Sequence, residues 1–353
     1  MKLVKPASDA YHRERIIQRI NKEERVLPHY ALSHLWGISK DHPHLWEEIG
    51  DFVDDENGKP AAPVSMRREK RETLLALLEK HPDSYWWIDV LCARTDTPLA
   101  IMGDIYACCT LCYALIDCDT SIIREMVLKR NKLMFSAYSS WSLQEYQETV
   151  AILQKFTECQ WWKRVWTWQE AVLPKYVSLM AETLTHLSDY DMVDIGFLTS
   201  FYQNLLYSTK LPVELAESEE PPVQNDILQE INNSRLHNGY YMYTEENMNT
   251  PMDLLELFES FAASPRQCMD PVDYVYGVLG IFQFDIPRMN DPDQVWQFFM
   301  KALEHYLADP KCVKISDAYE EALVSVFTGN QAHECSLVNA TNMGDVYQCL
   351  LPK

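Results

Sequence analysis

The chain has 353 residues, 47% of them apolar and ten of them tryptophan, enough to fill one large or two ordinary cores. Its formal charge of −21 excludes a nucleic-acid surface built on Lys and Arg and disfavours anionic membranes. With ten glycines and neither a GxGxxG nor a GxxxxGK[ST] pattern, standard dinucleotide-fold and P-loop readings fall away, and with no run of roughly 18 apolar residues a non-membrane, cytoplasmic protein is expected.

Tyr11, Ile16, Ile17 and Ile20 stand at helical spacing and predict a helical extension over residues 1–28. Tyr30 to Gly37 reads as a strand closed by a glycine turn, followed by an insertion from Ile38 to Val64. Met66 to Lys80 reads as a helix with Leu74, Leu75, Leu77 and Leu78 inside and Arg67, Arg68, Lys70 and Arg71 outside. Ser84 to Val90 is a second strand with Asp89 at its carboxyl end, and Pro98 to Cys108 a helix. The Cys-rich run at 110–116 is a third strand, and helices follow at Ser121–Phe135 and Leu143–Lys155. The tryptophan-rich segment continues as helix until Pro174, and Tyr176 to Met180 is a fourth strand.

This alternation predicts an α/β domain over 29–182, a parallel sheet flanked by helices, with a mainly helical region over 183–353 packed on it. In that region Glu214–Ser234 reads as an exposed acidic loop, and Met252–Ala263, Asp270–Gly280 and Val295–Tyr306 as helices. Cys108, Cys109, Cys112 and Cys118 read as small buried hydrophobes: no second ligand pair follows for zinc, and disulfides are not expected. His42-Pro43-His44 reads as a surface loop, and no metal ligand is assigned.

The segment Trp161-Trp162-Lys163-Arg164-Val165-Trp166-Thr167-Trp168-Gln169-Glu170 sets four indoles beside one carboxylate. An acid fixed against aromatic rings can act as a base, a charge stabiliser or an anchor for ligand hydroxyls; it can equally pair with Arg164. Helical spacing assigns Trp162, Val165 and Trp168 to packing and puts Trp166 and Glu170 one turn apart. Ser33, His34, Trp36 and Asp89 fall at strand ends, where parallel sheets bind ligands. Three of them also have a structural alternative: His34 as a satisfied core histidine, Asp89 as a cap for the next helix, and Trp36 as packing.

These segments, in this order, resemble the fungal heterokaryon incompatibility (HET) domain family. Tyr30–Gly37 is similar to its LSYxWG opening, Trp87–Cys92 to WIDxLC, Met102–Tyr106 to MxxIY, Arg164–Glu170 to RxWTxQE, and Asp270–Gly280 to the trailing DPRDKVYALLG. The resemblance implies a flavodoxin-like or TIR-like sheet in which Glu170 is the catalytic carboxylate of an NAD-cleaving glycohydrolase or related nucleotide hydrolase in cell death and self/non-self recognition. Ser33, His34, Trp36, Asp89, Arg94, Arg164 and Trp166 are then its candidate substrate-binding residues. His34 departs from the usual Tyr, and Ala93-Arg94-Thr95 replaces the usual Ile-Asn-Gln, which places a changed substrate, a phosphate contact or lost activity among the outcomes. NAD enters as a substrate, with no bound cofactor. The implied partners are a nucleotide or other small molecule and a second copy of the chain. Two other functions stay open: a non-catalytic oligomerising signalling module, and a scaffold recruited to other small-molecule chemistry such as secondary metabolism.

Overall fold

The computed structural model describes residues 28–36, 44–53, 60–81, 84–93, 99, 101–135, 142–183, 187–207, 225–238, 254–282, 284–308 and 336–351. The expected N-terminal helix and Arg94 lie outside the described residues. The chain divides into two compact units, the first from Met1–Asp96, Cys108–Trp161 and Tyr176–Asn225, the second from Thr97–Ala107, Trp162–Lys175 and Asp226–Lys353.

In chain order, β1 (His29–His34) precedes a small antiparallel pair, β2 (Leu45–Trp46) and β3 (Val64–Ser65), which lies within the expected insertion. Then come α1 (Arg68–Lys80), β4 (Tyr85–Ile88), α2 (Asp89–Cys92), α3 (Ile101–Cys108), β5 (Leu111–Ile116), α4 (Thr120–Phe135) and α5 (Leu143–Thr157). The tryptophan segment forms α6 (Gln160–Lys163) and α7 (Trp166–Val172), ahead of β6 (Val177–Ala181), β7 (Met192–Asp194) and α8 (Ile195–Tyr207). Next are α9 (Asp226–Asn238), α10 (Leu254–Ala262), α11 (Asp273–Tyr276), α12 (Leu279–Phe282), α13 (Pro292–Ala308) and α14 (Met343–Tyr347).

The first unit holds a five-stranded sheet in the order β4-β1-β5-β6-β7. Its first four members pair in parallel and β7 runs antiparallel at the edge. Numbered within the sheet the order is 2-1-3-4-5, that of flavodoxin-like folds, with a topological switch where β1 meets β5. The central strands are buried on both faces, as crossover helices require: in β5 every residue from Cys112 to Ile116 is buried. Leu74 and Leu77 of α1 and Leu153 and Phe156 of α5 are also buried, each apolar side chain contributing about 1.5–3 kcal/mol. A capping box starts α5, Ser142 Oγ accepting from Glu145 N at 3.2 Å while Glu145 Oε2 accepts from Ser142 N at 3.2 Å.

The second unit has an aromatic core. Trp168 meets Phe261 edge-on at 4.8 Å between ring centroids, and Phe258, Phe282, Phe299, Trp296 and Tyr347 continue the cluster. Close backbone approach adds to it. A Cβ on Gly103 would fall inside the backbone of Gly280, and one on Gly277 would strike Val165 Cγ1. The Gly-Val-Leu-Gly run at 277–280 therefore lets the backbone at Gly280 meet α3 at Gly103 and the backbone at Gly277 pass close to Val165, just before α7.

Several expectations need correction. The tryptophan helix is interrupted, because Arg164 bridges to Gln267: Val165 N donates to Gln267 O at 3.0 Å and Gln267 N to Lys163 O at 2.6 Å. Asp89 opens α2 rather than closing a strand. The stretch after Ala181 contains the edge strand β7, and α9 replaces the later part of the expected Glu214–Ser234 loop. Asp270–Gly280 splits into two short helices. Lys70, expected outside, is fully buried. Cys92, Cys109, Cys112 and Cys118 are buried free thiols, but Cys349 is disulfide-bonded, against the expectation of no disulfides.

Candidate functional site

Each parallel strand of the first unit delivers a polar residue at its carboxyl end: Ser33 and His34 from β1, Asp89 after β4, Asp117 after β5 and Glu182 after β6. Two of them are consumed by the entry to the tryptophan segment. Ser33 Oγ accepts from Trp161 Nε1 at 2.8 Å, and the Asp117 carboxylate accepts from the backbone N–H of Gln160 and Trp161, both at 3.0 Å.

The others form a connected polar seam. Asp89 Oδ2 accepts from Trp36 Nε1 at 2.5 Å, and Asp89 Oδ1 accepts from Val90 N at 2.7 Å. Oδ1 also lies 3.1 Å from His34 Nε2, an ion-pair distance when the ring is protonated. Burial raises the Asp89 carboxyl, but His34 and the hydrogen bonds from His34, Trp36 and Val90 N outweigh it, and the group settles below the usual carboxylate range. His34 Nδ1 contacts Leu35 O at 3.0 Å, and that carbonyl also accepts from Lys70 Nζ. Lys70 Nζ is 3.4 Å from His34 Nδ1 and 3.8 Å from Glu182 Oε2, whose other oxygen meets Arg67 Nη1 at 3.0 Å. Burial pushes the Glu182 carboxyl up, against the pull of Lys70 and Arg67. The seam opens to solvent at Trp36, 42% exposed, while its histidine and lysine are buried.

In the second unit, Glu170 is only 5% exposed on α7, among the fully buried Trp168, Ala171 and Val172. Two arginines hold the ends of this helix. Arg266 Nη1 donates to Arg164 O and Thr167 Oγ1, both at 2.9 Å, and its Nε faces the Glu230 oxygens at 3.2 and 3.1 Å. Arg235 donates to Ala171 O at 2.6 Å, Pro174 O at 3.1 Å and Lys175 O at 3.1 Å, covering carbonyls that a helix end leaves open. Glu230 and Arg235 both belong to α9. Trp166 hydrogen-bonds the Asp273 carboxyl, near Arg164 and Arg288; burial pushes that carboxyl up to about 6, the Trp166 bond opposing it.

Residues 29–170 match the family model for Heterokaryon incompatibility protein (HET). This segment is a HET domain. Its match opens on the first residue of β1 and ends on Glu170. No curated protein and no solved structure matches the chain.

The HET segment thus contributes to both units. Of the residues singled out in the sequence, the structure joins His34, Trp36 and Asp89 in one hydrogen-bonded set in the first unit, and ties Ser33 to Trp161. Arg164, Trp166 and Glu170 belong to the second unit, where Arg164 and Trp166 gather around Asp273. Trp162, Val165 and Trp168 are fully buried, as their spacing predicts.

Sequence reasoning missed Lys70, Glu182, Glu230, Arg235 and Arg266. Lys70 shares the spacing of Leu74 and Leu77, and that spacing is the signal in the sequence that points to the inner face of α1. Among the described residues no group of three or more His, Cys, Asp or Glu side chains could hold a metal ion, and no helix is long and apolar enough to cross a membrane.

Proposed function

We propose that this HET-domain protein, through a TIR-like sheet, hydrolyses the bond between nicotinamide and ribose in NAD, or the equivalent N-glycosidic bond of a related nucleotide, in self/non-self recognition and cell death. Glu170 is its key carboxylate. Nicotinamide leaves with the bonding electrons, the ribosyl carbon becomes oxocarbenium-like, and water adds there with loss of a proton. A fixed carboxylate beside the ribose holds its hydroxyls and stabilises the developing positive charge.

The observation that carries this reading is the setting of Glu170. One acid stands in a short, otherwise uncharged stretch of helix whose two ends are tied by Arg266 and Arg235. Fixed charge is what electrostatic stabilisation of a transition state requires, because no reorganisation is then needed during the reaction.

The test is release of nicotinamide from NAD by purified protein, with E170Q as the control. Turnover should fall by about 100-fold or more in E170Q. Equal turnover in both proteins removes Glu170 from the chemistry. Concentration-dependent assembly with no turnover favours a non-catalytic signalling module.

A further inference from the structure

We infer that Trp36 and Asp89, in the first unit, form a nucleoside-binding subsite, the indole face stacking on a planar base and the carboxylate accepting from a ribose hydroxyl. The inference rests on the proposed function for the identity of the ring as a nucleotide base, and on the first unit alone for its geometry.

A singly exposed apolar side chain is ordinary on a protein surface. Trp36 differs because its one polar atom is fixed. Nε1 donates to Asp89 Oδ2 at 2.5 Å, and Asp89 is itself held by Val90 N at 2.7 Å and by His34 Nε2 at 3.1 Å. His34 is buried behind it, with Lys70 Nζ 3.4 Å from its Nδ1. The indole is therefore anchored through a chain of buried groups while 42% of its surface stays in solvent. An immobilised aromatic face loses little side-chain entropy when a ring stacks on it, so the stacking energy goes into affinity.

The position agrees with this use. Trp36 lies two residues past the end of β1 and Asp89 directly follows its neighbour β4, so the pair stands at the carboxyl ends of two adjacent parallel strands, the side on which open parallel sheets receive ligands. Asp89 supplies the polar half. A carboxylate offers about four lone-pair directions, and its three described partners leave room for one more donor. Its side chain remains 14% exposed. A flat ring with a hydroxyl-bearing sugar next to it matches a pinned indole with an open carboxylate next to it.

The experiment measures binding of adenosine, adenine and NAD to the full chain by calorimetry and ligand-observed NMR, for wild type, W36L and W36F. Base stacking is worth about 1–3 kcal/mol, so W36L should weaken adenosine and NAD by about 5-fold or more. W36F keeps a ring but loses the Nε1 tether, and should fall between the two. Adenine, lacking the sugar, should bind more weakly than adenosine. Unchanged thermal stability of W36F guards against a folding artefact. Adenosine affinity of W36L within twofold of wild type overturns the subsite, as does absence of adenosine and NAD binding to wild type at millimolar concentration. Nicotinamide release, read separately, keeps the two ideas apart. Binding through Trp36 without turnover retains the subsite and removes the hydrolase, whereas turnover with an unaltered KM in W36L does the reverse.

Discussion

Replacing Arg266 by Met tests how the helix bearing Glu170 is held. Arg266 is fully buried and makes four polar contacts: both oxygens of Glu230 from Nε, and Arg164 O and Thr167 Oγ1 from Nη1. Met fills most of the volume but strands the Glu230 carboxylate, and breaking a buried pair from one side costs about 3–5 kcal/mol. For a chain of 353 residues that corresponds to a fall in melting temperature of roughly 5 °C.

The double variant E230L/R266M removes both charges, and apolar replacement of a buried pair is near neutral. It should regain most of the loss, leaving about 2 kcal/mol for the hydrogen bonds to Arg164 O and Thr167 Oγ1. Acid should act in the same direction. Burial already raises the Glu230 carboxyl above its ordinary 4.5, against the pull of Arg266, and losing the guanidinium raises it further. A carboxyl raised on folding contributes stability that is fully present below its unfolded value and lost as pH rises through the folded one. The R266M deficit should therefore be smallest near pH 4.5 and grow toward neutrality. Thermal and urea unfolding at several pH values, with amide exchange over residues 164–172, measure all three effects. A single variant within about 1 kcal/mol of wild type, or a double no more stable than the single, refutes the account.

Two further predictions concern groups that bear charge in half-buried or buried places. K70M removes the ammonium facing Glu182 and the donor to Leu35 O, and should cost about 3 kcal/mol in urea unfolding; a change under about 0.5 kcal/mol would show that the buried lysine carries no such weight. Asp273, with its carboxyl raised from 3.8 to about 6, contributes stability that is present at low pH and lost as pH rises through about 6. The free energy of unfolding should therefore drop between pH 5 and 7.5 by an amount on the order of 1 kcal/mol, read by urea unfolding, and D273N should flatten that part of the profile.

The sheet was legible because burial on both faces leaves a plain mark, short apolar runs such as Leu111–Ile116 punctuated by polar strand ends. The parallel pairing of the strands followed from their alternation with helices, and the antiparallel β7 escaped because three residues, Met192–Asp194, are too few to show a period. What stayed hidden was polar burial. The α9 segment carries Ile227, Leu228 and Ile231 at helical spacing, yet its acids and the prolines before it read as an exposed loop. Glu230 and Arg235 look like surface charge in a sequence, since nothing local reveals that Arg266, far along the chain, sits against one of them or that three carbonyls await the other.

The same holds for Lys70. Charge at a core-facing position contradicts the simple pattern unless its partners are known, and these are a backbone carbonyl, a histidine and a carboxylate drawn from β1 and the end of β6. Such groups are costly to bury alone and stable only as connected sets. Where several of them meet at strand ends, as Trp36, Asp89, His34 and Lys70 of the HET segment do with Glu182 beyond it, the geometry exceeds what packing alone requires. That excess is the physical reason to look for a ligand at this edge of the sheet.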